Sequence, residues 1–152
     1  MLIVYRVKKR FTFSAAHRLP QVPKDHKCHY VHGHNYMVDV EIGTYTLDDY
    51  NFVIDFVELD FFKEFLDKEF DHKLLVWEKD EDLVKIAFQN KDVFEAKVIP
   101  VPPTCEGLAE LFSLYIDSKL AKKLHGRDFK LIVTVWESDK SCGSFETEIT
   151  WT

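Results

Sequence analysis

The run His32-Gly33-His34-Asn35-Tyr36-Met37-Val38-Asp39-Val40-Glu41-Ile42 decides how this chain folds. His32, His34, Tyr36, Val38, Val40 and Ile42 share one parity, and Asn35, Asp39 and Glu41 take the other, which is the period of a half-buried β-strand. Upstream, Tyr5, Val7, Phe11, Phe13 and Ala15 alternate with Arg6, Lys8, Arg10 and Thr12, and His17 continues the apolar parity. A polar loop over 20–27, with two prolines, separates the two runs. Residues two apart on a strand project from the same face, so the imidazoles of His32 and His34 aim at one spot. Antiparallel pairing would bring His17 alongside them. Three neutral imidazoles meeting at a point suit zinc, and three protein ligands leave a position open for substrate or water.

Downstream of the second run, Asp48-Asp49-Tyr50-Asn51 reads as a turn. Over 55–70 the period changes: Phe56, Leu59, Phe62, Phe65, Leu66 and Phe70 fall at helical spacing, with Asp55 as N-cap and Glu58 placed to complete a capping box. Residues 77–92 read as an exposed excursion with a short helix around 83–88. Residues 94–101 read as an edge strand ending in prolines. Thr104 caps a second helix whose stripe is Leu108, Leu111, Phe112, Tyr115, Ile116 and Leu120, with Gly126 past its end. Leu131, Val133 and Val135 alternate in one closing strand, and Phe145, Thr147, Ile149 and Trp151 in the last. The order ββααββ predicts an α+β domain over 1–152, an antiparallel sheet with two main helices on one face.

Composition narrows the function. Apolar residues at 46% and charged residues at 30% are a globular balance, and 152 residues suit one core. A net charge of −6 argues against nucleic acid as a partner, which would need a concentrated basic surface. No stretch approaches the roughly 20 apolar residues that span a bilayer. The start, Met1-Leu2-Ile3-Val4-Tyr5-Arg6, lacks the charged and long apolar regions of a signal peptide, so a cytoplasmic protein is expected. Three cysteines, Cys28, Cys105 and Cys142, are an odd number without an export signal, and disulfides are not expected.

Several residues bear on chemistry. Cys28 lies four positions before His32: it is either a fourth zinc ligand closing a structural site or a catalytic thiol beside an open one. Asp71-His72 is either a polar helix terminus or a carboxylate that orients an imidazole for proton relay. Glu137 continues the parity of Leu131, Val133 and Val135. It either points inward, where a carboxylate needs a cation or donor array, or has turned to solvent at the strand end.

Six ordered motifs then carry a resemblance: Phe13-Ser14-Ala15-Ala16-His17-Arg18-Leu19, Cys28-x-x-x-His32-Gly33-His34-Asn35-Tyr36, Val53-Ile54-Asp55-Phe56, Phe70-Asp71-His72, Pro103-Thr104-x-Glu106 and Trp136-Glu137-Ser138. Their order and spacing resemble the 6-pyruvoyltetrahydropterin synthase family over about 3–147, with 77–92 unmatched. Three residues between Cys28 and His32 resemble the 6-carboxytetrahydropterin synthases of queuosine and deazapurine biosynthesis; the pyruvoyl-forming enzymes typically have five. The resemblance implies the tunnelling fold, in which strand pairs from several subunits close a barrel, a hexamer foremost, with active sites at subunit boundaries. It implies zinc on His17, His32 and His34, Cys28 as base, and Asp71 with His72 as charge relay. It also implies that Glu137 grips the pterin's guanidine-like edge and that Thr104 and Glu106 line the pocket. The implied substrate is 7,8-dihydroneopterin triphosphate, with Arg18, Lys24 or Lys27 as candidate cations for the triphosphate. Two departures stand out: the family often has Asn at the positions of Gly107 and Val76. A pyruvoyl-forming synthase and a non-catalytic zinc module are the rival readings.

Overall fold

The computed structural model describes residues 4–150, so Ile3 and Trp151 lie outside the described residues. Six strands, β1 (Tyr5–His17), β2 (His32–Thr44), β3 (Lys73–Trp77), β4 (Ala96–Ile99), β5 (Phe129–Trp136) and β6 (Cys142–Ile149), form one sheet in the order β4-β3-β1-β2-β5-β6. The hairpin of β1 and β2 sets the frame. Its antiparallel register pairs Phe13 with Tyr36 and His17 with His32, so the apolar parities of both strands face the same side. β5 and β6 extend this antiparallel unit.

Helices α1 (Asp60–Glu69) and α3 (Cys105–Lys123) bury that side. An aromatic cluster stands at its centre. Phe13 stacks on Tyr36 at 4.8 Å, and Phe112 of α3 meets Phe13, Phe62 and Phe70 edge-on at 5.8, 5.5 and 4.9 Å. Such pairs add about 0.5–1.5 kcal/mol each beyond the area they bury. Thr104 caps α3 by accepting the Gly107 N–H at 3.0 Å, and the helix ends through His125 and Gly126, both in the left-handed region. The first turn of α3 is pressed so closely on the preceding chain that a Cβ at Gly107 would stand 2.3 Å from the Pro102 carbonyl oxygen. Glycine there is a steric requirement, which accounts for one departure from the family pattern.

The sheet departs from the expected antiparallel ββααββ arrangement in three ways. β3 and β4 add two parallel strands, and β3 touches β1 only at Ala15 and Ala16. The run Lys73-Leu74-Leu75-Val76-Trp77 does not alternate because both its faces are covered. Leu75 enters the main core, while Leu74 and Val76 join a second cluster with Leu83 and Ala87. That second cluster lies under a third helix, α2 (Glu81–Gln89), on the opposite side of the sheet, so the largely exposed segment 77–92 is docked through one helix face, by Leu83 and Ala87. Val76, the other departure from the family pattern, is fully buried there.

The third difference lies before α1. Asp55 caps a 3₁₀ turn (Phe56–Leu59) by accepting the Val57 N–H, and Glu58 pairs with Lys123 of α3 instead of closing a capping box. Among the described residues no helix is long and apolar enough to cross a membrane.

Candidate active site

The β1–β2 register assembles the histidines. His17 ends β1, fully buried, opposite His32 at the start of β2, and His34 follows on the same face. Their ring centroids are 4.6, 5.1 and 4.8 Å apart, and one ligand atom from each lies within 4.8 Å of the others. The outer nitrogens are fixed by backbone. His17 Nδ1 lies 2.7 Å from the Pro103 carbonyl, and His32 Nδ1 lies 2.7 Å from the Tyr30 carbonyl. A carbonyl can only accept, so both Nδ1 atoms carry the proton and both Nε2 atoms present lone pairs inward.

Those two Nε2 atoms face each other at 3.2 Å. Two lone pairs that close require a cation or a proton between them. Burial holds the His17 imidazole down to about 4, with His32 and His34 adding to the effect and only the Pro103 contact opposing it, so His17 itself stays neutral near pH 7. Burial also lowers His34, against Glu137, which raises it. His34 Nε2 is buried without a hydrogen bond; Glu137 Oε2 stands 3.3 Å away, within ion-pair distance but not in hydrogen-bond geometry. The donor set of three neutral imidazoles with an orphaned inner nitrogen therefore fits a divalent metal such as zinc.

Glu137, just past β5, turns its carboxylate toward the triad, 3.9 Å from His17 Nε2 as well. Tyr36 lies beneath, its ring 5.4 Å from His34 and 5.9 Å from His17. Its hydroxyl is buried without a partner, and burial, then Glu137, Cys105 and Cys28, push its ionisation upward. Cys105 opens α3 beside the backbone of Glu137 and Gly143; burial, then Glu137 and Glu106, push its thiol up to about 12, so it stays protonated. Cys28 is the half-buried thiol near the same Tyr36 hydroxyl, on a 3₁₀ turn (Lys27–His29). The stretch 103–106 adjoins the triad through the Pro103 carbonyl. The Thr104 hydroxyl is occupied as the α3 cap, and the Glu106 side chain packs over Gly143.

Two expectations separate from this cluster. Asp71 and His72 form a pair, His72 Nδ1 to Asp71 Oδ2 at 2.7 Å, with the Asp71 carboxyl held low first by the Ser14 N–H and then by His72. His72 is a left-handed residue with an exposed side chain, and among the described residues no hydrogen bond or ion pair joins it to Cys28, Glu137 or the triad. Arg18, a candidate triphosphate cation, is instead committed to Asp80, with Nε 2.7 Å from Oδ2. Lys24 and Lys27 are exposed and form no ion pair among the described residues. Sequence reasoning passed over Tyr36, although it shares the parity of His32 and His34. It also missed Pro103 and Asp80, which act through a carbonyl and a distant ion pair that leave no local pattern.

The chain is 28% identical over 164 aligned residues to the 6-carboxy-5,6,7,8-tetrahydropterin synthase of Aquifex aeolicus, covering 95% of this chain and 99% of that protein. It is 30% identical over 116 residues to the protein of the same name from Rickettsia typhi, covering 72% and 82%. The fold is that of the 6-pyruvoyl tetrahydropterin synthase of Plasmodium vivax, with a TM-score of 0.74 at 20% identity over 97% and 99% of the two chains. An uncharacterised protein of Wolinella succinogenes superposes with a TM-score of 0.79 at 20% identity, over 94% and 98%. The sequence profile of 6-pyruvoyl tetrahydropterin synthase matches residues 6–148, and the chain belongs to that family.

Proposed function

We propose that this chain is a zinc-dependent 6-carboxy-5,6,7,8-tetrahydropterin synthase of the cytoplasm, acting in queuosine or deazapurine biosynthesis. It converts 7,8-dihydroneopterin triphosphate and water to 6-carboxytetrahydropterin, acetaldehyde and triphosphate. The observation that carries the reading is the pair of inward Nε2 lone pairs on His17 and His32, 3.2 Å apart with His34 beside them. Zinc held there supplies a Lewis acid for the side-chain hydroxyls of the substrate. Cys28 takes the proton that this acidification loosens. Glu137 accepts hydrogen bonds from the guanidine-like edge of the pterin, and the stretch from Thr104 to Glu106 walls the pocket. The three-residue gap between Cys28 and His32, and the names of the relatives above, favour the carboxy-forming branch.

The Asp71–His72 pair serves as relay for the site of a neighbouring copy. Two features support that arrangement: among the described residues no hydrogen bond or ion pair joins the pair to Cys28, and the sheet has open edges at β6 and along most of β1. Unpaired edges of this length are usually closed by other strands, here those of further copies in a barrel, with a hexamer favoured. A closed structural zinc site is disfavoured because the clustered ligand atoms are the three imidazoles without Cys28. The test is to incubate the zinc-loaded protein with 7,8-dihydroneopterin triphosphate and identify products by mass. Acetaldehyde with a 6-carboxypterin is expected. A 6-pyruvoyl compound as sole product would move the chain to the other branch, and no turnover would reject the enzymatic reading.

A further inference from the structure

The loop over 18–31 carries Cys28 between the two strands that hold the metal ligands. It contains only one regular element, the 3₁₀ turn (Lys27–His29). Such a turn is too short and too poorly bonded to hold itself. Cys28 is gripped on both sides of its own residue. Its carbonyl accepts the Leu19 N–H at 2.7 Å, two positions after His17, and its N–H donates to the Nδ1 of His26 at 3.1 Å. His26 is the N-cap of the turn, extended at φ −82° and ψ 131°, and its backbone carbonyl also takes the His29 N–H at 3.0 Å. The carbonyl grip is backbone to backbone and survives any substitution. The amide grip depends on one side chain.

We infer that His26 is a positioning residue for the Cys28 thiol, with its imidazole Nδ1 capping the Cys28 amide so that the 3₁₀ turn presents Sγ in one place. The inference rests on the reading of Cys28 as the base. His26 is exposed and its ring has no other partner among the described hydrogen bonds, so this contact is what its side chain does in the fold. Histidine is an uncommon cap, and the role needs only a short-range acceptor, which Asn supplies in the usual way.

The experiment uses the full zinc-loaded protein with His26→Ala and His26→Asn, reading kcat, KM, zinc content and amide hydrogen exchange at Cys28. In His26→Ala, kcat should fall about tenfold with KM and zinc content unchanged, because a loosened base is misplaced in the transition state more than in substrate binding. Exchange at the Cys28 amide should quicken about tenfold or more as the turn opens. His26→Asn should recover both. Wild-type exchange and kcat in His26→Ala would overturn the inference, as would faster exchange with kcat unchanged. If His26→Asn fell as far as His26→Ala, the capping role would be wrong. A Cys28→Ala protein with full turnover would instead defeat the reading of Cys28 as base, while exchange in the His26 variants would still decide the cap.

Discussion

Without a metal at the triad this protein should be acid-sensitive through His17, and the size of the effect follows from its burial. The imidazole is fully enclosed and its protonation is held down to about 4, from 6.5 for a free histidine. Unfolded, His17 binds a proton near 6.5; folded, it refuses one until about 4. Between those values the unfolded state holds more protons, so stability falls as pH falls. The contribution is complete above 6.5 and gone by about 4. The gap, at about 1.4 kcal/mol for each factor of ten, comes to about 3 kcal/mol, or about 10 °C of melting temperature in a chain of this size. The assay is urea unfolding of chelator-treated protein between pH 7.5 and 4.5, compared with His17→Asn, which cannot titrate there. Carboxylates contribute to both proteins, so the difference in slope isolates His17. Equal slopes for the two proteins would refute the argument.

Other perturbations test the remaining parts. Cys28→Ala should keep zinc near one per chain while turnover falls roughly 10²–10⁴-fold, the usual range for losing a positioned base; a zinc-free product in metal analysis would make Cys28 a ligand instead. Gly107→Ala drives a Cβ toward the Pro102 carbonyl and should cost about 1–3 kcal/mol in denaturant unfolding. It should also weaken zinc retention, since the adjacent Pro103 carbonyl holds His17. Asp80→Ala removes both the partner of Arg18 and the cap of α2, whose Leu83 N–H Asp80 accepts. About 3 kcal/mol should be lost, and a change below about 1 kcal/mol, the worth of an exposed pair, would show that the clamp is idle.

Much of the candidate site was readable because its three histidines share the periodicity of the core. The parity that predicts burial of Phe13, Tyr36 and Val38 also places His17, His32 and His34, so a period of two locates the triad without tertiary information. Glu137 could be narrowed to two alternatives by the same count, and the inward one holds. The parts that escaped have no period. β3 is covered on both faces and reads as an unbroken apolar run, which a short helix segment would match equally well. The side of the sheet that α2 would cover depends on how β3 joins β1, a parallel contact of two residues that leaves no mark in the sequence. Asp55 is a correct N-cap attached to the wrong helix, because a 3₁₀ turn and an α-helix begin with the same signal. Arg18 looked free for an anion, and only the fold reveals the carboxylate 62 positions away that occupies it.

The geometry of the histidine triad is thus a consequence of strand register. His17 pairs directly with His32, four positions along each strand from the Phe13–Tyr36 stack that anchors the core. A slip of one residue would move His32 and His34 to the opposite side of the sheet and turn Tyr36, Val38 and Val40 out of the core with them. The interactions that forbid the slip are the buried aromatic and aliphatic contacts, which are large and non-directional. A metal bound at the triad would not need to organise the three histidines. The cost falls where His34 Nε2 and the Tyr36 hydroxyl are buried without partners and the Nε2 atoms of His17 and His32 meet only each other. Gathered on one face beside the buried Tyr36 hydroxyl, those imidazole nitrogens form a donor set that suits a divalent cation.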